Sequence, residues 1–206
     1  MVIYEYGNKN SNNILIQPIG DQDLGIIDNE VHAINEYTID YYLFAVKVDD
    51  WNNDLSPWEA PAVFGNKGFG SGASDTLGEI MKLITDQSKD YYIGGYSLAG
   101  LFSLWTAHQT DVFKGVAAAS PSIWFPGFLD YMRKNDLRTE RVYLSLGDNE
   151  AKTRNAVMST VADRIQEANE LLNRRGIITT LEWNKGNHFK ETDLRMAKGF
   201  GWILGA

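Results

Sequence analysis

One short segment of the sequence combines a nucleophile with the small residues that it needs around it. Residues 91–100 read YYIGGYSLAG, so Ser97 stands between Gly95 and Ala99, each two positions away. Small residues there let a strand and the following helix nearly touch, and the tight turn between them lifts the serine hydroxyl clear of the backbone. The amino end of that helix faces the oxyanion that forms when a serine attacks a carbonyl. The segment predicts that Ser97 is the nucleophile of an acyl-transfer reaction; the alternative is a serine that caps an ordinary helix.

A serine nucleophile needs a base, and His188 is the histidine best placed to supply it. It lies in the segment WNKGNHF, after the last predicted strand and before the last predicted helix, where a glycine lets the loop turn back over the sheet. His32 lies early in the first predicted helix. His108 lies about three helical turns beyond Ser97 on the same helix, too far away to return. The sequence therefore predicts His188 as the general base.

Two carboxylates compete for the third position. Both follow the predicted strand at residues 141–146, in the segment LGDNE: Asp148 is nearer to the strand end, and Glu150 lies three residues past the glycine. The register favours Glu150, and Asp148 stays open as the alternative. The order Ser97, Glu150, His188 is the order in which strand–helix folds of this type carry their serine, acid and histidine.

The oxyanion requires two backbone donors. The first is the N–H of Leu98, the residue after the nucleophile. The second is expected from the loop that follows the predicted strand at residues 14–19, where Ile19 or Gly20 can donate and Pro18 cannot. We assign the second donor to Ile19.

Two tryptophans are candidates for substrate contact. Trp51 lies in a long connection, residues 49–73, that is rich in Trp, Asn, Asp, Pro and Gly. Connections of more than about 12–15 residues are usually functional or disordered, and we favour a pocket wall over an incidental surface loop. Trp124 follows the end of a predicted strand. Trp51 and Trp124 are the candidate substrate-binding residues, with a place in the core as the equal alternative for each.

Short apolar runs alternate with longer amphipathic segments along the whole chain. Six runs predict strands, at residues 14–19, 41–48, 90–94, 115–119, 141–146 and 178–183. Six segments predict helices, at residues 29–35, 74–87, 99–109, 128–135, 155–174 and 193–204. Several runs are apolar almost throughout, which is typical of strands covered on both faces. The pattern predicts an α/β fold with a mostly parallel sheet between two layers of helices.

Composition limits the function further. The chain of 206 residues has 44% hydrophobic and 22% charged residues, as is ordinary for one globular domain, which we place at residues 1–206. A net charge of −8 disfavours nucleic acids and anionic membranes as partners. Without cysteine there is no thiolate metal site, and three scattered histidines argue against a metal centre. The N-terminal residues contain no apolar signal segment, so we expect a cytoplasmic protein.

Several segments of the chain resemble a known family. They are GGYSLAG (94–100), AAASPSIWF (117–125), LSLGDNEAKTRN (144–155), GNHF (186–189) and WNNDLSPW (51–58). They are similar to the esterase D group of the α/β hydrolases, which includes enterobactin-type siderophore esterases and feruloyl esterases. The resemblance implies the α/β-hydrolase fold and carboxylic-ester hydrolysis by Ser97 and His188, with the acid at Glu150 or Asp148. The N-terminal strands are shorter here than in larger members.

These observations predict a serine carboxylic-ester hydrolase that forms an acyl-enzyme on a small-molecule ester, without metal or organic cofactor. The nearest alternative is another serine acyl hydrolase, such as a thioesterase or a small peptidase. The more distant one is a catalytically silent binding module of the same fold. The sequence does not specify the oligomeric state.

Overall fold

The protein is described by a computed structural model that covers residues 1–205. Its strands are β1 (Val2–Gly7), β2 (Asn13–Ile19), β3 (Tyr42–Lys47), β4 (Asp90–Tyr96), β5 (Phe113–Ala119), β6 (Arg141–Gly147) and β7 (Ile178–Asn184). They form one sheet in the order β1-β3-β2-β4-β5-β6-β7. β1 is antiparallel to β3, and the other neighbouring pairs are parallel. The mostly parallel sheet predicted from the sequence is confirmed.

Helices cover both faces of this sheet. They are α1 (Ile27–Asn35), α2 (Trp51–Asp54), α3 (Ala73–Met81), α4 (Leu98–Gln109), α5 (Phe128–Lys134), α6 (Val161–Arg174) and α7 (Thr192–Leu204). One core contains buried side chains of α3, α4, α5 and α6, and a second core on the opposite face contains those of α1 and α7. A central sheet with a core on each face is the α/β architecture that the apolar runs predicted.

The six predicted strands are all present, and a seventh, β1, was missed. β1 is an edge strand whose residues are exposed or half-buried along its length. It therefore lacks the continuous apolar run by which the central strands are recognised. Its antiparallel pairing with β3 extends the sheet beyond the predicted strands.

Two predicted helices are shorter in the structure. The segment at 74–87 is helical only to Met81, and the segment at 155–174 is α-helical only from Val161. In the second case Asn155 Oδ1 accepts hydrogen bonds from the backbone N–H groups of Val157 and Met158, each at 3.0 Å. This local turn competes with the helix, as asparagine side chains commonly do.

The long connection at residues 49–73 packs against the carboxyl end of the sheet. It contains α2, and its residues Ala60 and Phe69 form an isolated antiparallel bridge. Phe69 is buried, and the indole N–H of Trp58 donates to the Pro126 carbonyl at 2.9 Å. The connection is therefore an ordered wall, as we favoured from the sequence, on the side of the sheet where open α/β folds place their ligands.

Candidate active site

Ser97 lies on a tight turn between β4 and α4. Its backbone has φ 58° and ψ −119°, a positive-φ conformation that is costly for a non-glycine residue. Hydrogen bonds hold the turn from both sides, from the Ser97 N–H to the Ala119 carbonyl at 3.1 Å and from the Ser122 N–H to the Ser97 carbonyl at 3.0 Å. A Cβ at Gly95 would lie 2.5 Å from the backbone of Ala99. Strand and helix thus approach as closely as the small residues predicted.

The turn brings the Ser97 hydroxyl to the histidine and carboxylate expected from the sequence. Ser97 Oγ lies 3.0 Å from His188 Nε2, and His188 Nδ1 lies 2.7 Å from Glu150 Oε2. The side chain of His188 is 24% exposed and that of Glu150 is 5% exposed. When Nδ1 carries the proton that bonds to Glu150, Nε2 is free to accept the proton of Ser97. The arrangement can therefore generate a serine nucleophile.

Glu150 is held as a carboxylate by several donors. Besides His188, its Oε1 accepts hydrogen bonds from Ser120 Oγ at 2.7 Å, the Gly147 N–H at 2.7 Å and Arg195 Nη1 at 3.1 Å. Burial by itself raises the pKa of Glu150. The hydrogen bond and the electrostatic attraction from His188, with the hydrogen bonds from Ser120 and Gly147, outweigh burial, so that the pKa of Glu150 lies below its usual range. Glu150 is therefore ionised at neutral pH and can stabilise an imidazolium.

Asp148, the alternative carboxylate, has a different partner. Its Oδ1 accepts the Gly186 N–H at 2.8 Å, and its own N–H donates to the Asn184 carbonyl at 2.8 Å. Asp148 is exposed and shapes the loop that carries His188. Glu150 is thus the one of the two carboxylates that contacts the His188 ring.

The two expected oxyanion donors are placed differently. Leu98 is the first residue of α4, where backbone N–H groups have no intrahelical acceptor, and it borders a cavity beside Ser97. Ile19 is fully buried at the end of β2. Two cavities lie beside Ser97, and Ile19 is not among the described residues that line them. The Gly20 N–H, the alternative, donates to Asp23 Oδ2 at 2.8 Å. The second donor therefore stays a prediction at Ile19.

Two cavities meet at Trp51, Ser97, His188 and Phe189. The first has a volume of about 330 Å³, and its other lining residues are Gln22, Asp23, Ile26, Tyr96 and Thr192. The second has about 270 Å³, and its other lining residues are Asn52, Phe64, Phe69, Leu98, Ser122, Trp124 and Met158. One cavity is thus partly polar and the other largely apolar. Ser97 lines both of them.

A larger groove lies at the opposite edge of the sheet. It has a volume of about 780 Å³ and follows the amino ends of β4, β5 and β6. Two of its charged residues, Asp90 and Lys114, pair with each other at 2.6 Å. Ser97, His188 and Glu150 all lie at the other end of the sheet, so this groove has no access to them.

Both candidate substrate-binding residues lie in the cavity walls. Trp51, at the start of α2, is half-buried and borders both cavities. Trp124 is buried and borders the apolar one, with its ring 6.1 Å from that of Phe64 and 6.0 Å from that of Phe69. The pocket and core interpretations therefore both hold for Trp124, since the residue belongs to the buried core and also lines the cavity.

Sequence reasoning missed three polar residues around the site. Ser122 Oγ lies 3.3 Å from Ser97 Oγ, Ser120 Oγ bonds to Glu150, and Arg195 lies behind Glu150. Arg195 could have been noticed, because it occupies the buried stripe of α7 four residues before Gly199. The two serines lie in a loop and carry no comparable periodic signal.

Among residues 1–205, no three His, Asp or Glu side chains are grouped so that they could hold a metal ion. No helix within these residues is long and apolar enough to cross a membrane.

No family model and no curated protein matches the chain. Several solved structures, in contrast, are similar to it. An IroE-like serine hydrolase from Shewanella oneidensis is 14% identical with a TM-score of 0.75, over 97% of this chain and 74% of that one. The siderophore hydrolase EstA from Aspergillus nidulans is 16% identical with a TM-score of 0.69, over 100% and 95%. The enterobactin esterase from Shigella flexneri is 11% identical with a TM-score of 0.66, over 98% and 55%.

These similarities show that the chain has the α/β-hydrolase fold, as its sequence predicted. The similar structures are hydrolases and esterases, in agreement with the resemblance drawn from the short segments. At such low identity a shared fold does not transfer an activity, because one fold hosts many functions. Any activity of this chain therefore depends on the side chains around Ser97.

Proposed function

We propose that this α/β-hydrolase-fold protein is a serine carboxylic-ester hydrolase that works through an acyl-enzyme. The observation that carries the proposal is the pair of hydrogen bonds that links Ser97 to His188 at 3.0 Å and His188 to Glu150 at 2.7 Å. Together with the strained turn at Ser97, this geometry supports an activated serine nucleophile. The esterases among the proteins of similar structure support the same reaction class.

In the first half-reaction, Ser97 Oγ attacks the carbonyl carbon of the ester while its proton moves to His188 Nε2. The negative charge that develops on the carbonyl oxygen is met by the Leu98 N–H and by a second backbone donor, which we place at Ile19. His188 then gives its proton to the leaving alcohol oxygen, and the carbon–oxygen bond breaks. Ser97 is left acylated, and the alcohol departs.

In the second half-reaction, water attacks the acyl carbon while His188 Nε2 accepts its proton. The proton then passes to Ser97 Oγ as the acid product leaves, which restores the starting state. Glu150 stabilises the imidazolium in both halves through its bond to Nδ1. Every proton in this cycle moves between Ser97, His188, the substrate and water.

The cavities indicate the shape of the substrate. A small-molecule ester with an apolar group of some bulk would place that group in the apolar cavity beside Trp124. Trp51, between the two cavities, would contact both arms of the ester. The net charge of −8 makes a polyanionic substrate unfavourable.

A substrate panel tests the proposal. Purified protein is given p-nitrophenyl acetate, p-nitrophenyl butyrate, p-nitrophenyl benzoate, an acyl thioester and a peptide anilide. We expect hydrolysis of the oxygen esters with the highest kcat/KM in the panel. A preference for the thioester or the anilide would point to another serine acyl hydrolase. No turnover of any panel member above the buffer rate would favour the binding module instead.

The assignment of the acid is tested by a matched pair of variants. Glu150→Gln removes the charge that stabilises the His188 imidazolium, and we expect it to lower kcat by about 10⁴-fold. Asp148→Asn leaves the contact between Glu150 and His188 intact and should keep kcat near that of the wild type. Both are measured with the best ester of the panel. If only Asp148→Asn loses activity, the assignment of Glu150 is wrong.

Trp51→Ala tests the substrate pocket. Because Trp51 borders both cavities and is half-buried, its removal should raise KM for p-nitrophenyl benzoate by roughly 10-fold through lost apolar contact. KM for the acetate ester should change much less. Trp202→Ala is the matched control, since Trp202 packs near Arg141, away from Ser97. Equal changes in KM for both esters would argue against a role of Trp51 in substrate binding.

A further inference from the structure

Arg195 is a buried charged residue that the reaction described above does not use. It lies in the first turns of α7, and its side chain is only 2% exposed. A buried guanidinium is costly unless it is paired and hydrogen-bonded. Its Nη1 lies 3.1 Å from Glu150 Oε1, 3.0 Å from the Tyr96 hydroxyl and 3.3 Å from Ser120 Oγ, and its Nη2 donates to the Asn187 carbonyl at 3.1 Å. Most of its donors therefore have partners around the candidate active site.

Three of these four partners belong to the segments that carry the proposed catalytic residues, and the fourth, Ser120, directly follows β5. Tyr96 directly precedes Ser97, and Asn187 directly precedes His188. The Tyr96 hydroxyl in turn donates to the His188 carbonyl at 2.7 Å. One planar group thus links the nucleophile turn, the acid and the histidine loop.

We propose that Arg195 is a positioning residue that fixes the carboxylate of Glu150 and, through it, the ring of His188. This proposal rests on the proposed function. Arg195 lines neither of the two cavities beside Ser97, so it acts through other side chains and not on the substrate.

The hydrogen bonds of Glu150 show how the positioning works. Oε1 is occupied by donors from Arg195, Ser120 and Gly147, which leaves Oε2 for His188. The carboxylate therefore presents one defined oxygen to the ring. The bond from Arg195 to the Asn187 carbonyl fixes the backbone from which that ring projects.

The geometry of the side chain explains why an arginine serves here. Its planar fork holds Glu150 with one nitrogen and Asn187 with the other, so a single rigid group sets their separation. A lysine at this position would keep the positive charge but has one flexible ammonium instead of two fixed nitrogens. The charge and the fork can therefore be separated by substitution.

Arg195→Met and Arg195→Lys are compared with the wild type in kcat and KM for the best ester of the panel. We expect Arg195→Met to lower kcat by about 10²-fold, because small misplacements of catalytic groups cost this much. KM should stay unchanged, since Arg195 lines neither cavity. Arg195→Lys should recover part of kcat. Arg141→Met is the control: Arg141 also bonds to α7, through the Ile203 carbonyl, but at the far edge of the sheet.

A double-mutant cycle separates positioning from general support of the fold. In a Glu150→Gln background, Arg195→Met should lower kcat much less than it does in the wild type, because the group that it positions is already neutral. The combined loss should then fall short of the product of the single losses by about 10-fold or more. The double variant also avoids the unpaired buried carboxylate that could prevent Arg195→Met alone from folding.

The results that would overturn the proposal are distinct from failure of the proposed function. If the wild type hydrolyses esters and a folded Arg195→Met keeps the wild-type kcat, Arg195 does not position the site. If Arg195→Lys keeps the full wild-type kcat, the planar fork does not fix Glu150 and Asn187, and positioning by the guanidinium is refuted. Equal fold-losses from Arg195→Met in the wild-type and Glu150→Gln backgrounds would also overturn it. If the wild type hydrolyses no ester at all, the proposed function itself fails, and this proposal fails with it.

Discussion

Replacing Ser97 by alanine is expected to lower kcat for ester hydrolysis by roughly 10⁵- to 10⁶-fold. The variant removes the atom that forms the acyl-enzyme and leaves His188 without a proton to accept. Alanine differs from serine by one hydroxyl group and fits the same tight turn, so the protein should fold with a melting temperature close to that of the wild type. The measurement is kcat for the best ester, with thermal melting as the test of folding.

Ser122 provides the control for this prediction. Its hydroxyl lies 3.3 Å from that of Ser97, near enough to be considered as the nucleophile. Ser97 Oγ lies 3.0 Å from His188 Nε2, whereas Ser122 makes no hydrogen bond to a histidine among the described residues. Ser122→Ala should therefore lose far less activity than Ser97→Ala. The opposite result would move the nucleophile to Ser122.

Replacing His188 by alanine is expected to lower kcat by a similar factor, because nucleophile and base act as one unit. Without the imidazole, Ser97 cannot be deprotonated and the leaving alcohol cannot receive a proton from the enzyme. The loss should appear in kcat at every pH at which the wild type is active. The measurement is a pH profile of kcat for the variant beside that of the wild type.

The other two histidines provide the comparison. His32 is exposed on α1, so His32→Ala should retain the wild-type kcat. His108 is buried, and burial lowers its pKa to about 4, so it stays neutral and acts as part of the core. If His188→Ala kept kcat within about tenfold of the wild type, His188 would not be the base, given the usual cost of losing one.

The positions of Ser97 and His188 in the fold were predictable because a local pattern fixes the turn at Ser97 and the order of strands and helices places the loop of His188. The small residues Gly95 and Ala99 allow strand and helix to approach closely. In the structure, a Cβ added at Gly95 would lie only 2.5 Å from the backbone of Ala99. The parallel strands then bring the ends of β4, β6 and β7 to one edge of the sheet. Side chains far apart in sequence thus meet within hydrogen-bond distance.

Other features depend on tertiary contacts that no local pattern encodes. The choice between Glu150 and Asp148 followed register alone, whereas the structure separates them by their partners, His188 and the Gly186 N–H. Arg195 could be seen only as a charge in a buried stripe, because its four partners come from separate segments. The Gly20 N–H, considered as an oxyanion donor, bonds to a carboxylate three residues later.

The most direct test of the central claim is labelling by a fluorophosphonate, which reacts with activated serine hydroxyls. The labelled protein is analysed by intact mass and then by peptide mapping. We predict one label per chain, on the peptide that carries Ser97, and no label in His188→Ala under the same conditions. A folded wild-type protein that takes up no label, or takes it up elsewhere, would contradict an activated nucleophile at Ser97.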